Sequence, residues 1–222
     1  MHTPRLAVPL PAAVIAAVFA AVFAALTGCH SAAPPATQPG AAAAADAGVP
    51  LDAADVSPLG PGDAAPTGDV RTPDGKTLAL ADLYDERPTV LVFYRGGWCP
   101  YCNTHLGQLA KAEPKLVKMG YQVVAISPDR PEKVQATVDE GGFEYQIVSD
   151  SDMSIARAFG LAFRVDDATV EKYKTYEIDL EDASGEDHQL LPVPAVYIID
   201  TSGTIRFVHY HPDYKQRLEA DP

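Results

Sequence analysis

Thr89 to Cys102 reads TVLVFYRGGWCPYC, and this stretch decides the fold. Its first half, Thr89 to Tyr94, is a continuous apolar, β-rich run. That is the pattern of a strand buried on both faces of a sheet, since a half-exposed strand would alternate. The second half delivers Cys99 and Cys102 directly behind that strand. Beyond them Leu106, Leu109, Leu116, Val117 and Met119 fall near helical spacing up to Gly120, with Pro114 expected to bend or interrupt the helix. The order is strand, turn with the cysteine pair, helix.

A Cys-x-x-Cys at a helix start sets its first sulfur beside unpaired backbone N–H groups and the positive end of the helix dipole, which favour thiolate over thiol. Cys99 is therefore the expected nucleophile. Cys102 is close enough to attack a mixed disulfide on Cys99 and is the expected resolving thiol. Pro100 suits a first helical position, where no N–H is needed. Trp98 and Tyr101 either flank the sulfurs with apolar surface or simply pack, and Gly96-Gly97 allows a tight approach of strand to helix. A structural disulfide gains little from closing so short a loop, so a redox role fits better.

The pair is also half of a zinc site in spacing, but no second pair exists and no metal is assigned. Thiols with a nearby His, here His105, leave copper handling as a minor alternative. As a lone helical His, His105 reads as a surface residue. Asp129, Asp150 and Asp152 fall in loops after strands, where acids act as caps or turn residues. No cofactor is expected.

Outward from the centre the pattern continues as βαβ. Tyr121 to Ile126 is a predicted strand, Pro131 to about Glu140 a helix, Tyr145 to Val148 a strand and Met153 to Phe159 a short helix closed by Gly160. Phe163 to Leu191 is mixed and charged, with a helix predicted from Ala168 to Tyr176. Ala195 to Asp200 and Thr204 to His209 form a hairpin around Thr201-Ser202-Gly203. Little chain follows, so a terminal helix over the sheet is expected to be short or missing. On the N-terminal side, Asp74-Gly75 marks a hairpin between Gly68–Thr72 and Thr77–Leu80.

The 222 residues are uneven in composition. Residues 1–28 carry one Arg and an apolar run from Leu6 to Leu26, the layout of a secretory signal. Leu26-Thr27-Gly28-Cys29 resembles the lipobox of bacterial lipoproteins, which implies cleavage before Cys29 and lipidation of that residue. A retained membrane helix or an ordinary secretory signal is the other reading. Each of these readings exports the domain, and the lipobox places it on the cell envelope through a lipid anchor. His30 to about Ser57, rich in Ala and Pro, reads as a disordered tether, leaving one domain over residues 58–222. The formal charge of −13 becomes −14 once Arg5 is removed with the signal. So acidic a chain, without clustered Lys and Arg, argues against nucleic acid as a partner.

From Pro58 to Tyr214 the residues resemble the alkyl hydroperoxide reductase/thiol-specific antioxidant (AhpC/TSA) peroxiredoxin-like proteins of the thioredoxin-fold superfamily. The resemblance rests on Pro61-Gly62-Asp63-Ala64-Ala65-Pro66, Asp74-Gly75-Lys76, Val90 to Tyr94, Tyr94 to Cys102 and Val193 to Asp200. It implies an α/β thioredoxin fold, a central mixed β-sheet flanked by helices with an N-terminal β-hairpin extension. It gives Pro194 the place of a cis-proline facing the disulfide, with Val193 and Trp98 in the substrate groove and the Val193 backbone open to an extended partner. The family's Pro, Thr and peroxide-attacking Cys fall on Arg95, Cys99 and Cys102. Arg95 is left as a possible support for a thiolate.

Two chemistries follow from the resemblance. The first is dithiol–disulfide exchange on protein or small-molecule disulfides through Cys99, Cys102 and Pro194. The second is reduction of hydroperoxides with Cys102 attacking and Cys99 condensing on the sulfenic acid. Both require an external thiol reductant.

Overall fold

The computed structural model describes residues 48–219, so the signal segment and Cys29 lie outside the described residues. Strand β3 (Thr89–Phe93) is buried along its whole length. The reason is its place in the sheet: β4 (Gln122–Ser127) runs parallel on one side and β8 (Ala195–Ile199) antiparallel on the other. β5 (Gln146–Ser149) continues the parallel side, and β1 (Asp69–Arg71) with β2 (Thr77–Ala79) adds an antiparallel hairpin. β9 (Ile205–Tyr210) closes the other edge against β8. The seven-stranded mixed sheet thus runs β2-β1-β5-β4-β3-β8-β9.

Alternate residues of the central strands feed two cores. Leu91 and Phe93 pack with Val124, Ile126, Tyr197 and Phe159 on one face, under α1 (Leu80–Glu86) and α4 (Ser154–Ala158). Val90, Val92 and Tyr94 pack on the other face with Leu106 and Leu109 of α2 (Pro100–Lys118) and Val134 of α3 (Pro131–Gly141). Both cysteines belong to this second core. A central strand covered on both faces needs apolar side chains of both parities, which is what the continuous run supplies.

Several elements depart from expectation. Pro114 does not interrupt α2, which continues four residues past it. Pro114 itself is exposed, so its ring does not intrude on the packed core. Leu80, read as the end of the hairpin's second strand, instead begins helix α1. Residues 48–57, read by composition as tether, pack on the domain: Arg164 N–H donates to Pro50 O at 2.8 Å, and Val49, Ala53 and Val56 cover the first core. The opaque segment resolves into β6 (Ala162–Arg164), α5 (Asp167–Lys174), α6 (Leu180–Ser184) and β7 (Leu190–Pro192), with β6 and β7 paired. It has its own small core of Val165, Val170, Leu180 and Leu191, against which Trp98 and Tyr173 rest. No helix follows β9 among the described residues, yet Tyr214 and Leu218 fold back onto the core that holds the cysteines.

Candidate active site

The redox loop is fixed by backbone. Cys99 N–H donates to Gly96 O at 3.1 Å, Gly97 N–H to Asp129 Oδ2 at 2.7 Å, and the Asn103 side chain to Gly97 O at 2.7 Å. Both glycines are required. A Cβ on Gly96, at φ 138°, would sit 2.3 Å from Trp98 Nε1, and one on Gly97 would sit 2.0 Å from Thr137 Oγ1.

Cys99 caps α2 with Pro100 at the first helical position, and neither cysteine is in a disulfide. The two sulfurs are held differently. The Cys102 thiol hydrogen-bonds to Cys99, and with the Cys102 backbone N–H and the charges of Arg95 and Arg217 it pulls the Cys99 thiol down to about 6, against the opposing cost of burial. Cys102 moves the other way. Burial, then its bond to Cys99 and the negative charge there, hold its thiol well above the ordinary value. Cys99 is 2% and Cys102 0% exposed, so both sulfurs lie beneath the surface.

Two arginines stand over the pair. Arg95 is 4% exposed, its guanidinium 4.1 Å from the centre of the Tyr214 ring and flanked by Trp98 and Tyr173, with a hydrogen bond to the Tyr173 hydroxyl. Arg217, which no sequence signal singles out, donates from Nη2 to Cys102 Sγ at 3.3 Å. It arrives on the segment after β9, which Tyr214 fastens by its edge contact with Tyr101 at 5.6 Å.

The remaining predicted positions divide. Pro194 immediately precedes β8, whose Ala195 pairs with Phe93, so it lies at the sheet end that carries the redox loop. Val193 is fully buried in the opposite core, and the N–H of the backbone expected to face an extended partner is already taken by Leu161 O at 2.9 Å. Trp98 is half-buried between two cores. His105 is not a surface residue. It lies in the buried stripe Cys102, His105, Leu106, Leu109, where burial foremost, then the charge of Arg217, lowers it to about 4. Asp150 acts as a cap, accepting from the N–H groups of Ile155 and Ala156. Asp129 is more than a turn residue. It is buried beneath the loop, and burial raises it to about 6 despite the Gly97 N–H.

Residues 61–208 match the model of the AhpC/TSA family. The chain belongs to that family. Among curated relatives, the Mycobacterium tuberculosis protein Rv2521, assigned to the peroxiredoxins, is 33% identical over 102 residues, which are 46% of this chain and 64% of that protein. The thiol-disulfide oxidoreductase ResA of Halalkalibacterium halodurans is 27% identical over 40% of this chain and 49% of its own length. The crystal structure of peroxidoxin BcpB from M. tuberculosis superposes with a TM-score of 0.55 at 20% identity, covering 68% of this chain and 86% of the other. The AhpC/TSA chain thus has the mixed α/β thioredoxin fold of the peroxiredoxins.

Proposed function

We propose that the protein is a thiol-dependent oxidoreductase that exchanges its Cys99–Cys102 dithiol with substrate disulfides. The supporting observation is the asymmetry of the pair: one sulfur is ionised near neutrality at a helix start, and the other is a buried, protonated donor beside it. The Cys99 thiolate attacks, a mixed disulfide forms, and the first substrate thiolate leaves. Cys102 then gives up its proton, displaces the second thiolate and closes the internal disulfide, which an external thiol reductant reopens. The test is a Cys102→Ser variant, which should trap substrate on Cys99 by mass, while Cys99→Ser should lose turnover of a disulfide substrate. Wild-type turnover by Cys99→Ser overturns the assignment.

One observation favours a second reading, hydroperoxide reduction. Arg217 contacts Cys102, the position that the family resemblance gives to the peroxide-attacking thiol. Rapid sulfenate formation at Cys102 in Cys99→Ser, followed by stopped flow with hydrogen peroxide, is the required result. Its absence removes that reading.

The site is further proposed to work in the cell envelope, carried on a lipid attached to Cys29. The support is the apolar run and lipobox-like residues ahead of it. Replacing Cys29 by Ala should release the protein from the membrane fraction. Unchanged membrane association overturns the anchor.

A further inference from the structure

The attacking sulfur of a dithiol has to come into line with the S–S bond of its substrate, so its rate depends on access as well as on ionisation. Here access is closed, with Cys99 2% and Cys102 0% exposed. The neighbouring cavity offers no way in. It holds about 290 Å³ at the end of the sheet that carries Pro194, its wall includes Arg95, Tyr173, Pro194 and Tyr214, and neither cysteine lines it.

Residues 211–219, the segment after β9, pack onto the pair. Arg217 donates from Nη2 to Cys102 Sγ at 3.3 Å, and Tyr214 and Leu218 rest on the core that contains both sulfurs. The Tyr214 ring also lies 4.1 Å from the Arg95 guanidinium and meets Tyr101 edge-on. All of these are side-chain contacts. The β8–β9 ladder ends at Tyr210, and among the described residues no backbone-to-backbone hydrogen bond joins residues 211–219 to the rest of the chain. The segment's other bonds are internal: Asp213 N–H to His211 Nδ1 at 3.0 Å, Lys215 N–H to Asp213 Oδ1 at 3.1 Å, Gln216 N–H to Asp213 O at 3.0 Å and Arg217 Nε to Tyr214 O at 2.7 Å. They survive if the segment lifts as a unit. A stretch held by a few side chains, without a ladder, belongs to the low-stability end of local opening.

We propose that residues 211–219 form a lid over the dithiol and that Cys99 reacts when the lid opens. The inference rests on Cys99 as the attacking thiolate. Opening breaks the Tyr214 contacts with Arg95 and Tyr101 and the packing of Leu218, and it leaves the β8–β9 ladder intact. Reclosing returns Arg217 to Cys102 for the resolving step. The lid thus orders the cycle, with attack while the segment is lifted and resolution while it is down.

The test uses the full reduced protein and a neutral dipyridyl disulfide, whose coloured thiol product is followed by stopped flow. Each rate is divided by the thiolate fraction, read from thiolate absorbance in the same buffer, so that a change in ionisation is not counted as a change in access. Tyr214→Ala should raise the normalised rate by about two- to tenfold, the worth of one aromatic and one cation–π contact. Tyr214→Phe keeps the ring and should stay within about twofold of wild type. Leu218→Ala should also accelerate the reaction, and it decides the matter alone if Tyr214→Ala fails to fold by circular dichroism. Rates of both alanine variants within about twofold of wild type overturn the lid, as does a Tyr214→Phe rate that matches Tyr214→Ala. Peptide mass after a brief quench tests the reading beneath it, since the first sulfur labelled in wild type should be Cys99. Labelling first at Cys102 overturns Cys99 as the attacker, and the variant rates decide the lid separately.

Discussion

Removing the Cys102 thiol should deprive Cys99 of the foremost support for its thiolate. The depression of Cys99 from 9.0 to about 6 corresponds to about 4 kcal/mol in favour of the anion. A hydrogen bond to a charged group is worth about 1.5–3 kcal/mol, or roughly one to two pH units. Cys102→Ala should therefore raise Cys99 to roughly 7–8. The thiolate share at neutral pH then falls from about nine-tenths to about half or less. Cys102→Ser keeps an O–H donor in the same place and should stay within about half a unit of wild type. Absorbance at 240 nm against pH reads the thiolate directly, and the pH profile of iodoacetamide alkylation provides an independent measure. If Cys102→Ala still titrates near 6, the thiolate is held by the helix end and the arginines, and the reasoning from the paired thiols is refuted. The same shift has a stability consequence. Because the folded value lies below the unfolded one, ionised Cys99 stabilises the reduced domain fully above about pH 9, and this contribution disappears as pH falls towards 6.

Three further outcomes follow from named contacts. Gly97→Ala should cost about 1–3 kcal/mol in urea unfolding of the reduced protein, and part should return in Gly97→Ala/Thr137→Ala, since the new Cβ meets the Thr137 hydroxyl; strict additivity would refute the clash. Asp129→Asn keeps an acceptor for the Gly97 N–H but cannot ionise. Since the folded carboxyl titrates near 6, above its unfolded 3.8, wild type loses up to about 3 kcal/mol as pH rises through that window. The variant's Tm advantage should grow between pH 4 and 7, and a constant difference would contradict it. Arg217→Gln should raise the Cys102 thiol further and slow resolution, so the mixed disulfide on Cys99 persists longer in quenched-flow mass spectra; an unchanged lifetime would remove Arg217 from the chemistry.

Most of the central sheet was legible because local and global demands agree. The run TVLVFY has no polar face to expose, Pro100 and Pro131 open helices where no N–H is missed, and Asp74-Gly75 supports its hairpin with Gly75 at φ 81°. Pro114 misled because its penalty depends on which side of the helix it occupies, and that side is fixed only when α2 docks on β3 and β4. His105 was misjudged for a different reason. Spaced three residues from Cys102 and four from Leu109, it lies on the apolar stripe, and the periodicity already present in the sequence contained that signal. Tyr214 and Arg217 had no such signal. Their value comes from contacts with residues more than a hundred positions away, which no local pattern encodes.

The proposed dithiol exchange and the family resemblance differ over which sulfur attacks, and the position of the helix start favours the proposal. The family resemblance places the peroxide-attacking Cys at Cys102, which here is inside the first turn of α2, with no exposed surface and its proton engaged toward Cys99. The family's Thr position holds Cys99, which occupies the cap itself, at the positive end of the helix dipole that favours an anion. Exchanging that Thr for a thiol therefore provides a second nucleophile one helical turn earlier, in a better electrostatic position than the first. Cys102 ionises only when its hydrogen bond to Cys99 is consumed, as it is once Cys99 has joined a substrate. At that moment Arg217, already 3.3 Å from Cys102 Sγ, becomes the nearest charge to the emerging thiolate. In the proposed exchange both arginines favour the attacking anion of Cys99, and Arg217, the one in contact with Cys102, favours the resolving anion.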